Sequence, residues 1–146
     1  MNGTVCVSSY LTGEVGGILG KHTDSVESIA FCLHPSTPYC VTCGMDSAIN
    51  VYNLQENSLR QAIQAADYGG FSKVLFSEID PFFFFASSTL GFVQMIDARN
   101  GTIMRTYRGH AAQVNDFVEV KEHNLLVTAG DDFVCNIYDL GKAPEQ

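Results

Sequence analysis

Cysteines and histidines are the side chains of this sequence best suited to chemistry, so their spacing is the first thing to weigh. Cys40-Val41-Thr42-Cys43 has the C-x-x-C spacing of a zinc or redox site. It lies in an apolar run that reads as a strand, where residues three apart point to opposite faces. No second pair completes a metal set. The five cysteines, Cys6, Cys32, Cys40, Cys43 and Cys135, are odd in number and scattered through apolar stretches. They read as small buried residues in a reducing compartment, with Cys40 and Cys43 as core thiols. His34 and His123 fall in predicted loops and read as surface histidines. His22 and His110 differ from these, because 88 residues separate them and the chain around them repeats. No Gly-rich phosphate loop is present. No metal and no cofactor are expected.

Composition narrows the classes further. The 146 residues are 46% hydrophobic and 16% charged, which suits a folded protein with a core and not a disordered one. The longest strictly apolar run, from Phe82 to Ala86, falls far short of the roughly 20 residues of a membrane helix. Met1-Asn2-Gly3-Thr4 lacks the basic start of a secretory signal. Neither membrane insertion nor export is expected. The net charge is −8, from 16 acids and 8 bases without a basic cluster. That argues against direct nucleic-acid binding and favours solubility and a basic partner.

Three segments share one pattern: 47–54, 91–98 and 133–140, with a fourth copy at 3–10 opening the chain. Their marked aromatic position falls on Ser8, Tyr52, Ile96 and Tyr138, at steps of 44, 44 and 42 residues. A period in the low forties is the size of one four-stranded propeller blade. Other features keep phase. Apolar sets follow each opening: Val26, Ile29 and Phe31; Phe71, Val74 and Phe76; then Val114 and Phe117, with Glu119 breaking the third place. Short apolar runs come next, at 39–44, 83–88 and 125–130. Turns follow at Asp46-Ser47, Leu90-Gly91 and Asp132-Phe133, with Asn2-Gly3 in the opening copy. Arg99-Asn100-Gly101 and Thr12-Gly13 mark a later turn. Inner strands covered on both faces need not alternate, so Phe82-Phe83-Phe84-Phe85 reads as a strand buried between blades. Helical periodicity is absent.

With the Gly109-His110 opening and this period, the chain resembles the WD-repeat proteins over essentially 2–140. No repeat keeps a Trp-Asp pair: Tyr52-Asn53, Ile96-Asp97 and Tyr138-Asp139 stand in its place. The resemblance implies a buried hydrogen-bonded tetrad in each blade. Carried over by position, one set is His22, Thr42, Asp46 and Tyr52, and another is His110, Thr128, Asp132 and Tyr138. The middle set is Ala66, Ala86, Leu90 and Ile96, where all four polar members have gone together, so that no half-kept network is left unpaired. Thr, His and Asp in proximity could form a nucleophile, base and orienter. An active site does not recur once per blade, so the structural role is expected and no enzyme. Within the family, 24–31 and 96–110 resemble the C-terminal repeats of the angio-associated migratory cell protein group. A fungal relative of that group is a dedicated chaperone of a basic ribosomal protein. The resemblance implies a scaffold or assembly chaperone in the cytoplasm, with the nucleus as a second location.

The expected fold is all-β, a partial WD-repeat β-propeller of about three and a quarter blades of four-stranded antiparallel sheet. Its parts are the last two strands of a truncated blade (1–20), a full repeat (21–65), a degenerate repeat (66–108), a repeat lacking its outer strand (109–140) and a tail (141–146). Propellers close with four to eight blades. The ring is therefore expected to be completed by the remaining blades of a longer protein, or by a second copy. Since members of the family end after an inner strand, as this chain does, the resemblance implies a natural C-terminus and a truncated N-terminus. In this family partners commonly bind the face made by the loop entering each blade and the turn between its second and third strands. Here that face would hold Lys21, Thr23, Asp24, Asp46, Asp67, Tyr68, Gln113, Asp131 and Asp132, and its acids imply a basic protein segment. The alternative is an enzyme or small-molecule site in the central channel. It would need polar side chains on innermost strands that read as Val, Ile and Phe.

Overall fold

A computed structural model describes residues 3–32 and 34–142. Asn2 of the opening turn and the end of the 141–146 tail lie outside the described residues. Among the described residues, thirteen strands form four sheets in which each strand pairs antiparallel with the next. The chain opens with the pair β1 (Thr4–Ser8) and β2 (Val15–Lys21). Then come β3 (Val26–Phe31), β4 (Tyr39–Gly44), β5 (Ala48–Asn53) and β6 (Ser58–Gln64). The third sheet holds β7 (Phe71–Phe76), β8 (Phe83–Ser88), β9 (Phe92–Asp97) and β10 (Ile103–Arg108). The last holds β11 (Val114–Val120), β12 (Leu125–Gly130) and β13 (Cys135–Asp139). The helical content described is two short 3-10 turns, Ala66–Tyr68 and Lys121–His123. No helix among the described residues is long and apolar enough to cross a membrane.

The turns keep the register. Ser47, Gly91 and Phe133, in phase with one another, all take positive φ, at 61°, 90° and 65°. A left-handed residue there twists the hairpin in the same sense as its strands. Gly13, Asn57 and Gly101 do the same one strand later, at 73°, 48° and 75°.

Successive sheets pack face to face, and this places the core. Val41, Cys43, Ile49 and Val51 from the second sheet meet Phe84, Ala86 and Ile96 from the third. Phe85, Val93 and Tyr107 on the opposite face of the third sheet meet Val114, Phe117 and Leu126 of the last. Val5 of the opening pair covers Cys40 and Tyr52. With a neighbour on each side, β5 is buried at every position, whereas β13 alternates between exposed and half-buried. The Phe run divides accordingly. Its strand starts at Phe83, Phe84 and Phe85 face opposite neighbours, and Phe82 lies in the preceding turn with the Arg99 guanidinium 4.4 Å above its ring. Each of the two buried rings contributes on the order of 2 kcal/mol from the area it removes from water.

The two ends expose what a neighbour would cover: Val15 and Ile18 on β2, Val118 on β11 and Ile137 on β13. Joining two copies end to end would set β11, β12 and β13 against β1 and β2. That is five strands where a blade holds four, so a ring of two copies requires one strand to be displaced.

The expectation that the cysteines are buried needs correction at two positions. Cys40 and Cys43 are buried on opposite faces, Cys32 is half-buried, but Cys6 and Cys135 are exposed on the open end sheets. Burial pushes both inner thiols up to about 12. Iodoacetamide at neutral pH is therefore expected to alkylate Cys6 and Cys135 in the native chain and to spare Cys40 and Cys43 until the chain unfolds. Peptide mass spectrometry reads the pattern. Labelling of the inner pair at the same rate would contradict their burial between sheets.

Candidate functional site

In two of the sheets a histidine at the end of one loop reaches a threonine in the second strand and an aspartate in the following turn. His22 Nδ1 lies 3.0 Å from the Asp46 carboxylate and Nε2 lies 2.7 Å from Thr42 Oγ1. With Nδ1–H donating to the carboxylate, Nε2 is placed to accept the Thr42 hydroxyl. The Tyr52 hydroxyl stands 3.3 Å from Thr42 Oγ1 and accepts from Asn50 Nδ2 at 3.2 Å. Asp46 also accepts the backbone N–H groups of Thr23 and Ala48. One carboxylate thus ties the incoming loop to the hairpin turn. The last sheet repeats this with His110, Thr128 (2.7 Å) and Asp132 (2.9 Å), and Ala111 and Val134 donate from the backbone.

Glycines make the room. A Cβ on Gly44 would come within 3.1 Å of His22 Nδ1, and one on Gly130 within 2.6 Å of His110 Nδ1. A Cβ on Gly20 would meet the Tyr52 ring at 2.8 Å, and one on Gly109 the Tyr138 hydroxyl at 2.7 Å. In the middle blade the place of Gly44 is taken by Ser88, which the missing histidine makes possible, and its hydroxyl donates to the Tyr68 carbonyl.

Burial alone would raise the Asp46 carboxyl, but the hydrogen bonds from His22, Thr23 and Ala48 outweigh it and hold it below its ordinary value. Asp132 is held low by His110 first and then by Ala111. Thr42 and Thr128 are buried, at 0% and 1% exposure, so no substrate carbonyl reaches either hydroxyl. What the arrangement does is lock the loop to the turn. Among the described residues no group of three or more His, Cys, Asp or Glu could hold a metal.

Three placements differ from expectation. Tyr138 meets Thr128 as the tetrad requires, but it is only half-buried and its hydroxyl also lies 3.2 Å from the Arg108 carbonyl, because β13 is an edge strand without an outer neighbour. In the middle blade Ala86 and Ile96 are buried, Ala66 sits exposed in the 3-10 turn and Leu90 is 52% exposed. All four of these positions lack polar side chains, but a polar residue remains beside them. Gln94, in phase with Asn50, is fully buried and neither of its side-chain amide atoms has a hydrogen bond. The innermost strands are also less uniformly apolar than Val, Ile and Phe. Lys73 on β7 pairs with Asp116 on β11, and Glu119, which broke the apolar set, accepts Ser77 Oγ and the Glu78 N–H at 2.6 Å each. These polar groups bind neighbouring blades to one another.

The predicted binding residues do lie on the loop side of the sheets, but in different states. Asp46 and Asp132 are engaged in the networks. Tyr68 is half-buried, edge-on to Phe92 at 5.9 Å, and Gln113 is half-buried. Lys21, Thr23, Asp24, Asp67 and Asp131 are exposed. The reading by charge missed two apolar residues of the same turns: Leu90 and Phe133, the latter fully exposed. Phe133 carried a signal, since it is a bulky residue in phase with Ser47 and Gly91.

The profile of the family described as WD domain, G-beta repeat matches residues 13–53 and 101–139 and passes over most of the middle blade. Angio-associated migratory cell protein from dog (Canis lupus familiaris) is 30% identical over 118 residues, which is 81% of this chain and 26% of that protein. The proteins of the same description from Homo sapiens and Pongo abelii match to the same extent. The chain spans about a quarter of the length of these relatives.

Two stability measurements follow from the geometry. Replacing Gln94 with Met removes an unpaired buried amide at nearly constant volume, so Gln94→Met should stabilise the chain by about 1–3 kcal/mol, whereas His22→Ala should destabilise it by a similar amount. Urea unfolding of both variants reads this; a destabilised Gln94→Met chain would show that the amide has partners. For pH, the folded carboxyls of Asp46 and Asp132 lie below the unfolded value of about 3.9. Their stabilisation is complete above that value and disappears as pH falls through the lower folded one. Thermal melts should therefore drop below about pH 4, and less steeply in Asp132→Asn.

Proposed function

The chain belongs to the WD-repeat family, whose members typically act as protein-interaction scaffolds and not as enzymes, and from that premise we propose that its loop face captures a basic protein segment. Asp24, Asp67 and Asp131 support this. They are exposed, one to each repeat, on the loop side of the sheets, and the tetrads do not use them. Lys21 is the exposed base beside them. Carboxylates spaced along an arc suit an extended Lys- or Arg-bearing segment, which each acid meets in turn. A basic ribosomal protein held before assembly is a partner of this chemistry, and the chain would then act as an assembly chaperone in the cytoplasm or nucleus. The blades of a longer protein would extend the same face.

Fluorescence anisotropy with a labelled lysine–serine peptide tests this. Binding should weaken steeply as salt rises from low to physiological ionic strength, where screening shortens to about 8 Å. It should weaken again in Asp24→Lys and Asp131→Lys. Affinity indifferent to both changes would remove charge as the basis of recognition.

A further inference from the structure

Phe133 is a bulky apolar residue that neither the core nor the tetrads account for. It is fully exposed, it stands at the tip of the β12–β13 turn, and its backbone is left-handed with φ of 65°. The in-phase positions are Ser47 and Gly91, small residues for which that conformation is easier or free. A bulky side chain held in the left-handed region is disfavoured. Here the ring is fully exposed, so burial of the side chain does not offset the strain. Residues held in such conformations concentrate at ligand clamps and binding sites.

The surroundings say what kind of ligand the ring would meet. Asp131, two residues before Phe133, is exposed and accepts the Asn115 side-chain amide, which holds its carboxylate on the same turn. Val134, immediately after, is also exposed. On the next blade, Leu90 occupies the place that Asp46 and Asp132 fill elsewhere. With no histidine to receive a carboxylate, that turn presents an apolar side chain, 52% exposed, beside the loop that carries Asp67. Two adjacent blades therefore offer the same pairing, one apolar turn residue and one exposed carboxylate: Phe133 with Asp131, and Leu90 with Asp67.

We propose that Phe133 and Leu90 are the apolar anchors of the loop face, so that its ligand is a basic segment carrying aliphatic or aromatic side chains between its charges. This rests on the acidic-face reading above and deepens it. Charge draws the segment in, and the two turn residues select among basic segments, as aromatic and apolar anchors do at other interfaces. A segment with charge alone leaves both side chains in water.

Two labelled peptides distinguish the outcomes: a lysine–serine peptide, and the same peptide with leucine replacing some of the serines. The chain should bind the leucine-bearing peptide roughly tenfold more tightly. Phe133→Gly should abolish most of that preference while leaving the lysine–serine peptide unchanged, and Leu90→Ser should reduce it. Because glycine is unstrained at this φ, Phe133→Gly should also melt at the same or a higher temperature than the parent chain. A lower melting temperature would show that Phe133 supports the fold, and would overturn the assignment. Equal affinity for the two peptides, unchanged by Phe133→Gly, overturns the anchors and leaves the acidic-face reading standing. Binding of neither peptide overturns both.

Discussion

Every full sheet in this chain has two apolar faces, and no sheet can cover its own. That constraint orders the rest of the structure. Phe84 and Phe85 are neighbours in sequence but belong to two different cores, one shared with the sheet before and one with the sheet after. The same division separates Cys40 from Cys43. A strand read in this setting loses the alternation expected of a half-buried strand, because both sides of the pleat are interior. Where the neighbour is missing, alternation returns, as on β13, where Cys135, Ile137 and Asp139 are exposed. Stability is then close to a sum over sheets and the interfaces between them.

In the two histidine-bearing sheets the buried His, Thr and Asp are satisfied together. His22, Thr42 and Asp46 bury a titratable ring and a hydroxyl because each has a partner, and the aspartate draws further bonds from two backbone N–H groups. Gly44 and Gly130 are part of the same solution, since a side chain at either would occupy the volume of the His–Asp pair. The middle blade shows the reverse. Without a histidine an aspartate there would lose its side-chain donor, the glycine is no longer required, and Ala86, Leu90, Ser88 and Ile96 replace the set. Gln94 marks the limit of that replacement: an amide kept in phase with Asn50 after its partners have gone.

The period of 44, 44 and 42 residues carried most of the fold, because turn chemistry and apolar runs recur with it and hydrogen-bonded strands must follow. His22, Asp46, His110 and Asp132 were legible for the same reason, since a motif that repeats in phase identifies its members. What escaped was whatever depends on one blade's particular neighbours. Nothing in the letters separates the buried Cys43 from the exposed Cys135; the presence of an adjacent sheet does. Tyr138 matches Tyr52 in type and phase and likewise meets its threonine, yet it stays half-buried beside the Arg108 carbonyl because its strand has no outer partner. Gln94 lay outside the four positions that the pattern of the family draws attention to. Phe133 was read as a turn residue, which it is, but a chain cannot be scanned for backbone strain without its dihedral angles.

The turns carry two demands at adjacent positions, and variation is found where one of them is given up. The network needs an aspartate before the left-handed residue, and the hairpin needs a small residue at it. The second sheet meets both with Asp46 and Ser47. The third keeps the small residue, Gly91, and gives up the aspartate for Leu90. The last keeps the aspartate and places Phe133 in the left-handed position. Each of these departures puts an apolar side chain on the loop face, and each leaves the paired strands intact. A fold held by face-to-face packing tolerates such changes at its rim, since core residues such as Phe85 and Leu126 lie away from the turn tips. The rim is therefore free to differ from blade to blade in its turn chemistry, whereas the strands beneath are bound to repeat.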